Sequence, residues 1–139
     1  MPQDNTGIIR ALYRAFASGD IPSALAILDP GIEWREAENF IYADRNPYIG
    51  PQAVFEGVFA RLGAEWDNFA AVSEEILGSG DTVVSLGRYR AVCKATAKPV
   101  DAQFVHVFRL RDGKVVRFQQ YTDTAQFRDA MSAGRVTSA

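Results

Sequence analysis

Residues 101–124 read DAQFVHVFRLRDGKVVRFQQYTDT. Apolar and polar residues alternate on both sides of Asp112-Gly113, the pattern of two half-buried strands joined by a two-residue type I′ turn. Opposed residues of a hairpin share a sheet face, so pairing Arg111 with Lys114 sets Phe108 against Arg117, His106 against Gln119, Phe104 against Tyr121 and Ala102 against Asp123. One face then carries Phe104, His106, Phe108, Gln119, Tyr121 and, at its end, Asp123. The other carries Val105, Val107, Val116 and Phe118, with Arg109 and Gln120 around them. Aromatic rings around a few polar groups suit the lining of a small-molecule pocket. The Val-rich face would leave an apolar patch in water, and it is read as a dimer interface.

Working outward, period-two alternation predicts further strands at about 69–77 and 82–93, with the hairpin strands at 100–111 and 114–121. Gly78-Ser79-Gly80-Asp81 and Lys98-Pro99 mark the turns between them. The first half reads differently. Ile8, Ile9, Leu12, Tyr13 and Phe16 recur at helical spacing, with Asn5 and Thr6 as caps and Ser18-Gly19 as the stop. Asp20 caps a short second helix that ends at Asp29-Pro30, and a strand starts at Ile32 and Trp34. After an irregular stretch from Ala37 to Gly50, Pro51 opens a third helix carrying Val54, Phe55, Val58, Phe59 and Leu62. A last helix runs from Thr124 to about Met131, followed by a polar tail that is expected to fray. The plan is α+β, with helices covering one face of an antiparallel sheet.

At 139 residues the chain reads as a single domain over 1–139, its ordered core at about 7–131, large enough to fold without a metal or disulfide. With 15 Lys+Arg against 17 Asp+Glu and no basic stripe, nucleic acid is not an expected partner. Cys93 is the lone cysteine, which points to a reducing cytoplasm, and one His with one Cys supplies no zinc-type ligand set. No apolar run suits a signal peptide or a membrane span. No metal and no cofactor are expected.

The segments Ala17-Ser18-Gly19-Asp20, Ile32-Glu33-Trp34 and Pro47-Tyr48-Ile49-Gly50-Pro51 are joined in the second half by Gly80-Asp81-Thr82-Val83-Val84, Asp112-Gly113-Lys114-Val115 and Gln120-Tyr121-Thr122-Asp123-Thr124. In that order and spacing they resemble the nuclear-transport-factor-2-like superfamily, in particular SnoaL-like polyketide cyclases and ketosteroid-isomerase-related proteins, over about residues 7–131. The resemblance implies a cone-shaped, cystatin-like α+β barrel. Its strongly bent sheet would wrap around the N-terminal helices and a deep hydrophobic cavity, with homodimers formed through the outer sheet face. It also implies that Asp123, on the final strand, acts as acid/base, with His106 on the neighbouring strand. The Tyr and Asp oxyanion pair of the steroid isomerases has no match here.

Each candidate has a plainer reading beside it. Asp123 at the rim of an apolar cavity would be a good proton acceptor, but followed by Gln126 it also reads as a helix cap. His106 could hold a ligand oxygen or be a buried His satisfied by Gln119. Trp34, Tyr48, Phe59, Tyr89, Phe104, Gln119 and Tyr121 are the expected substrate-binding residues, although aromatics at such spacing are often plain core. Glu36 and Glu38 could reach the mouth of the cavity, with solvated carboxylates as the default. The expected function is therefore cofactor-independent acid/base catalysis on a small apolar carbonyl compound, as isomerase, cyclase or hydratase. The alternative is a non-catalytic module holding a hydrophobic ligand.

Overall fold

In a computed structural model describing residues 4–132, Asp112 and Gly113 take φ angles of 52° and 79°, as a type I′ turn requires. The turn joins β5 (Pro99–Arg111) to β6 (Lys114–Thr122). Ahead of them come α1 (Asn5–Ala17), α2 (Ile21–Ala26), β1 (Leu28–Arg35), β2 (Tyr48–Ile49) and a long helix. That helix consists of α3 (Pro51–Val54), a π turn (Phe55–Phe59) and α4 (Ala60–Glu65). β3 (Trp66–Ser79) and β4 (Thr82–Cys93) precede the hairpin, and α5 (Thr124–Met131) follows it. The strands form one sheet in the order β2-β1-β6-β5-β4-β3, with β1 and β6 parallel and the other neighbours antiparallel. The sheet curves without closing, so the cone is open between its edges β2 and β3 rather than a barrel.

The helix starts follow from short polar side chains. Asp4, rather than Asn5 or Thr6, caps α1 by accepting from the Thr6 N–H at 3.1 Å, and Asp20 caps α2 through the Ser23 N–H at 3.2 Å. The second helix is shorter than its sequence suggests, because Asp29-Pro30 already belongs to β1. Register shifts in β1 and β3, and in β6 against β5, bend the sheet towards the helices. Gly87 belongs to this bend: a Cβ there would lie 2.0 Å from the Val72 carbonyl oxygen and 2.7 Å from the Phe104 ring.

The bulge in the hairpin corrects the expected register. Arg111 pairs with Lys114 and Leu110 with Val115, but Arg109 then pairs with Arg117, leaving Val116 as an extra residue. Beyond it Phe108 faces Phe118, His106 faces Gln120 and Phe104 faces Thr122. The energetic reason is direct. The unbulged register would push Arg117 against Phe108 in the core and leave the Phe118 ring in water. Burying Phe118 is worth about 1.5–3 kcal/mol, whereas an unpaired buried guanidinium costs several times that. The bulge also gives Phe118 a ring to stack on, with its centroid 3.8 Å from that of Trp34. The outer face is thereby revised as well: it keeps Val105 and Val107 but gains Gln119 and Tyr121 in place of Phe118 and Gln120.

Candidate active site

The concave side of the sheet, α1 and the long helix enclose a cavity of about 60 Å³ whose walls are mostly aromatic and aliphatic. Alternation along the strands decides which side chains reach it. On β1 the inward series Ile32, Trp34 continues past the strand end to Glu36. On β4 the inward series includes Ser85 and Tyr89, on β5 Phe104, His106 and Phe108, and on β6, after the bulge, Phe118 and Gln120. Helix α1 adds Leu12, Tyr13 and Phe16, and the π turn delivers Val58 and Phe59.

Two polar groupings stand in this apolar setting. The first is Glu36, only 3% exposed, whose Oε2 accepts from the Trp34 indole N–H at 2.9 Å. Its backbone is fixed by Asn46, which accepts from the Glu36 N–H at 2.9 Å and donates to the Glu36 carbonyl at 2.8 Å. Burial pushes the Glu36 carboxyl up to about 8, and the Trp34 bond and the charge of Arg61 only partly oppose this.

The second is a chain through His106. The Tyr13 hydroxyl lies 2.7 Å from Nδ1, and the Tyr89 hydroxyl bonds Nε2. Gln120 Nε2 donates to the Tyr89 oxygen at 2.9 Å, and Gln120 Oε1 accepts from the Ala37 N–H at 3.0 Å. Burial lowers His106 to about 3, so its imidazole is neutral at pH 7. Burial also raises both tyrosines above their ordinary value. A neutral imidazole has one N–H and one lone pair. Of the two tyrosines, one therefore donates to His106 and the other accepts from it, keeping its own O–H for another acceptor. Ionisation of Glu36 acts on Tyr89, which puts the two groupings within electrostatic reach of each other.

Of the residues expected from sequence, Trp34, Phe59, Tyr89 and His106 line the cavity together. Phe104 lies behind His106, stacked on it at 3.9 Å between centroids. Tyr48 is buried behind the π turn, bonded to the Tyr42 carbonyl and to Arg61, and does not border the cavity. The one-residue bulge turns Gln119 and Tyr121 outward, where they border a surface groove, with Tyr121 55% exposed. Asp123 is exposed and outside the cavity lining. It accepts from the Gln126 side chain at 3.0 Å and makes no side-chain bond to the N–H groups of α5. Of the polar cavity residues, Tyr13 and Gln120 are not among those expected there from sequence, and Glu36, expected at most at the mouth with a solvated carboxylate as the default, is buried in the wall. Among the described residues no three His, Cys, Asp or Glu side chains converge as a metal site would need.

A family model described as a SnoaL-like domain matches residues 9–118. No curated protein matches the chain. Among solved structures, an NTF2-like protein from Burkholderia thailandensis E264 is 33% identical over 94% of this chain and 99% of its own, with a TM-score of 0.89. An NTF2-like protein of unknown function from Burkholderia pseudomallei K96243 is 26% identical over 94% and 100%, with a TM-score of 0.85. TerC, co-crystallized with polyporic acid, is 26% identical over 91% and 96%, with a TM-score of 0.81. The open cone, the cavity and these matches agree: the chain belongs to the SnoaL-like domain family, within the NTF2-like fold.

Proposed function

We propose that the protein is a cofactor-independent acid/base catalyst acting on a small, largely apolar carbonyl compound, with Glu36 as the proton-transfer group. The observation that carries this reading is a buried carboxyl facing an apolar cavity beside a hydroxyl chain anchored on a neutral histidine. A carboxyl at about 8 is ionised in roughly a tenth of molecules at pH 7 and is a much stronger base than an ordinary glutamate. Ionised Glu36 removes a proton from the carbon beside the carbonyl. The C–H electron pair moves to the oxygen as an enolate, and the spare tyrosine O–H of the His106 chain donates to that oxygen. Where the enolate is conjugated to a C=C, protonated Glu36 returns the proton to the far carbon and completes an isomerisation. Alternatively the enolate carbon attacks a second carbonyl of the same molecule, whose π pair moves to its oxygen and takes the proton from Glu36, closing a ring. The co-crystallisation of TerC, a relative, with polyporic acid supports a small-molecule ligand for this fold.

The test is deuterium uptake at the α-carbon of a panel of cyclic and aryl ketones in D₂O, followed by NMR. Wild-type protein is expected to accelerate exchange, with a rate that rises with pH towards about 8, and Glu36→Gln to lower it by about 10²–10⁴-fold. Equal exchange by wild type and Glu36→Gln would remove Glu36 from the chemistry. Ketone binding without any exchange would make the cavity a holding site for a hydrophobic ligand.

The same reading includes a homodimer through the outer sheet face. Its support is the strip formed by Val105, Val107 and the exposed Tyr121, with Arg109 and Arg117 beside it.

A further inference from the structure

The cavity of about 60 Å³ has room for a few water molecules, well short of the roughly 300–1,000 Å³ typical of ligand pockets. A carbonyl compound of even ring size must therefore open a wall. Three side chains border both the cavity and an outer pocket: Tyr13, Glu36 and Phe40. Tyr13 is held by His106 and sits in the regular turns of α1. Glu36 is held by Trp34 and, through its backbone, by both ends of the Asn46 amide.

Phe40 differs from both in its side chain: it is buried at 3% exposure and its backbone N–H and carbonyl bond Ala37 and Ala43, but no polar group tethers its ring. Its ring makes edge contacts with Tyr42 at 5.7 Å and Phe127 at 4.9 Å, and it has no polar group to release. It lies in the irregular segment after β1, beside Asn39, whose φ is 70°. Behind it is a pocket of about 510 Å³ bordered by Tyr42, Asp44, Arg61, Glu65 and Arg128. That one ring borders both spaces.

The charges of the outer pocket indicate what would occupy it. Arg61 is paired with Asp44 at 2.8 Å, and Glu65 accepts from the Tyr42 hydroxyl. Arg128 donates its Nε–H to the Asn39 carbonyl at 2.7 Å, which ties the Phe40 segment to α5. Among the described residues no carboxylate stands within ion-pair distance of Arg128, so its terminal N–H groups are the charged donors left free in this pocket, beside the Asn39 side-chain amide.

We infer that the cavity and the outer pocket are the two halves of one binding site, with Phe40 as the gate between them. Its ligand is a two-part molecule: a compact carbonyl head beside Glu36 and a tail ending in acceptor oxygens that binds Arg128. This inference rests on the acid/base reading for the role of the head, whereas the gate and tail site are read by binding alone.

Three probes with one head test it: 4-(4-acetylphenyl)butanoate, its primary amide, and 4′-butylacetophenone. Calorimetry on the wild-type protein is expected to give tighter binding for the carboxylate and amide than for the butyl compound, by about tenfold for the carboxylate, and Arg128→Ala should erase that advantage. Stopped-flow quenching of tryptophan fluorescence should show Phe40→Ala speeding association of all three probes by about tenfold, and Phe40→Trp slowing it. Thermal unfolding checks that the variants fold. Equal affinities for the three probes, or association rates untouched at position 40, would overturn the inference. If the probes bind with this dependence but no ketone exchanges deuterium, the two-part site stands and the acid/base reading fails. The reverse pattern sinks the two-part site and leaves Glu36 as the base.

Discussion

His106 stands opposite Gln120, and the Tyr89 hydroxyl bonds both side chains, accepting from Gln120 at 2.9 Å. This triangle holds a neutral imidazole in a wall that would otherwise be apolar. Gln120 orients Tyr89, Tyr89 occupies Nε2 and Tyr13 occupies Nδ1, so no ring nitrogen is left bare. The arrangement carries no net charge near neutral pH, which leaves a single carboxyl, Glu36, to set the pH response of the cavity above 6.5.

That response can be read as stability. The folded protein holds a proton on Glu36 from its ordinary 4.5 up to about 8, so stability falls as pH rises through that window, by about 1.4 kcal/mol per unit. His106 acts in the opposite sense. From its ordinary 6.5 down to about 3 the unfolded chain takes up a proton that the folded one refuses, so stability falls as pH drops. The two slopes oppose between 4.5 and 6.5, and between 6.5 and 8 the Glu36 slope acts without the histidine's. Glu36→Gln is expected to flatten the stability curve between pH 6.5 and 8 while keeping the loss on the acid side; urea unfolding at several pH values checks it. Parallel curves for the two proteins above pH 6.5 would contradict a buried, protonated Glu36.

Trp34 tunes the same group. Its N–H favours the ionised carboxyl, so Trp34→Phe should move Glu36 further above about 8 and shift the rise of exchange rate to higher pH. NMR titration of the labelled Glu36 carboxyl carbon measures this directly. An unchanged midpoint would mean that the indole bond contributes nothing to the ionised state.

The bulge at Val116 is open to a deletion test. Removing Val116 joins Val115 directly to Arg117 and leaves Arg109 paired with Arg117, Phe108 with Phe118 and His106 with Gln120, so Phe118 stays inward and Gln120 keeps Tyr89. Turn and side chains then agree on one register, and the loss in chemical denaturation is expected to stay below about 2 kcal/mol, the scale of losing one half-buried valine. A loss of several kcal/mol, with the Phe118 ring exposed, would show that the register is not fixed by these side chains.

Most of the fold was legible in residues 101–124 because a turn with positive φ and strict alternation leave few alternatives, and the strand ends of β4, β5 and β6 follow from the same signals. The site was legible on the straight strand and less so past the bulge. Trp34, Tyr89 and His106 follow from alternation, whereas Gln119 and Gln120 exchange faces through one extra residue. The adjacent pair Val115-Val116, with no polar residue between them, is the local break in alternation that marks it. Glu36 was hidden for a different reason. A carboxylate in an irregular segment is normally solvated, and its burial depends on Asn46 and Trp34 closing around it in three dimensions.

The outer face makes a prediction of its own. Val107 is half-buried in the isolated chain and central on the side away from the helices. If this face meets a second copy, Val107→Glu places a charge in an apolar contact and should convert dimers to monomers in light scattering at micromolar concentration. A wild-type protein that is already monomeric there would refute the homodimer.

Asp123 separates the two proton-transfer candidates. It is exposed, and its side chain meets the Gln126 amide rather than a helix N–H, so it neither faces the cavity nor makes the bond of a strong cap. Asp123→Asn and Asp123→Ala are therefore both expected to keep wild-type exchange rates and to cost no more than about 0.5 kcal/mol, below the typical loss of a helix cap. The contrast with Glu36→Gln under identical conditions is the decisive measurement. Exchange that collapses in Asp123→Asn and survives in Glu36→Gln would return the base to the last strand, and would require the β6–α5 junction to swing inward when ligand binds.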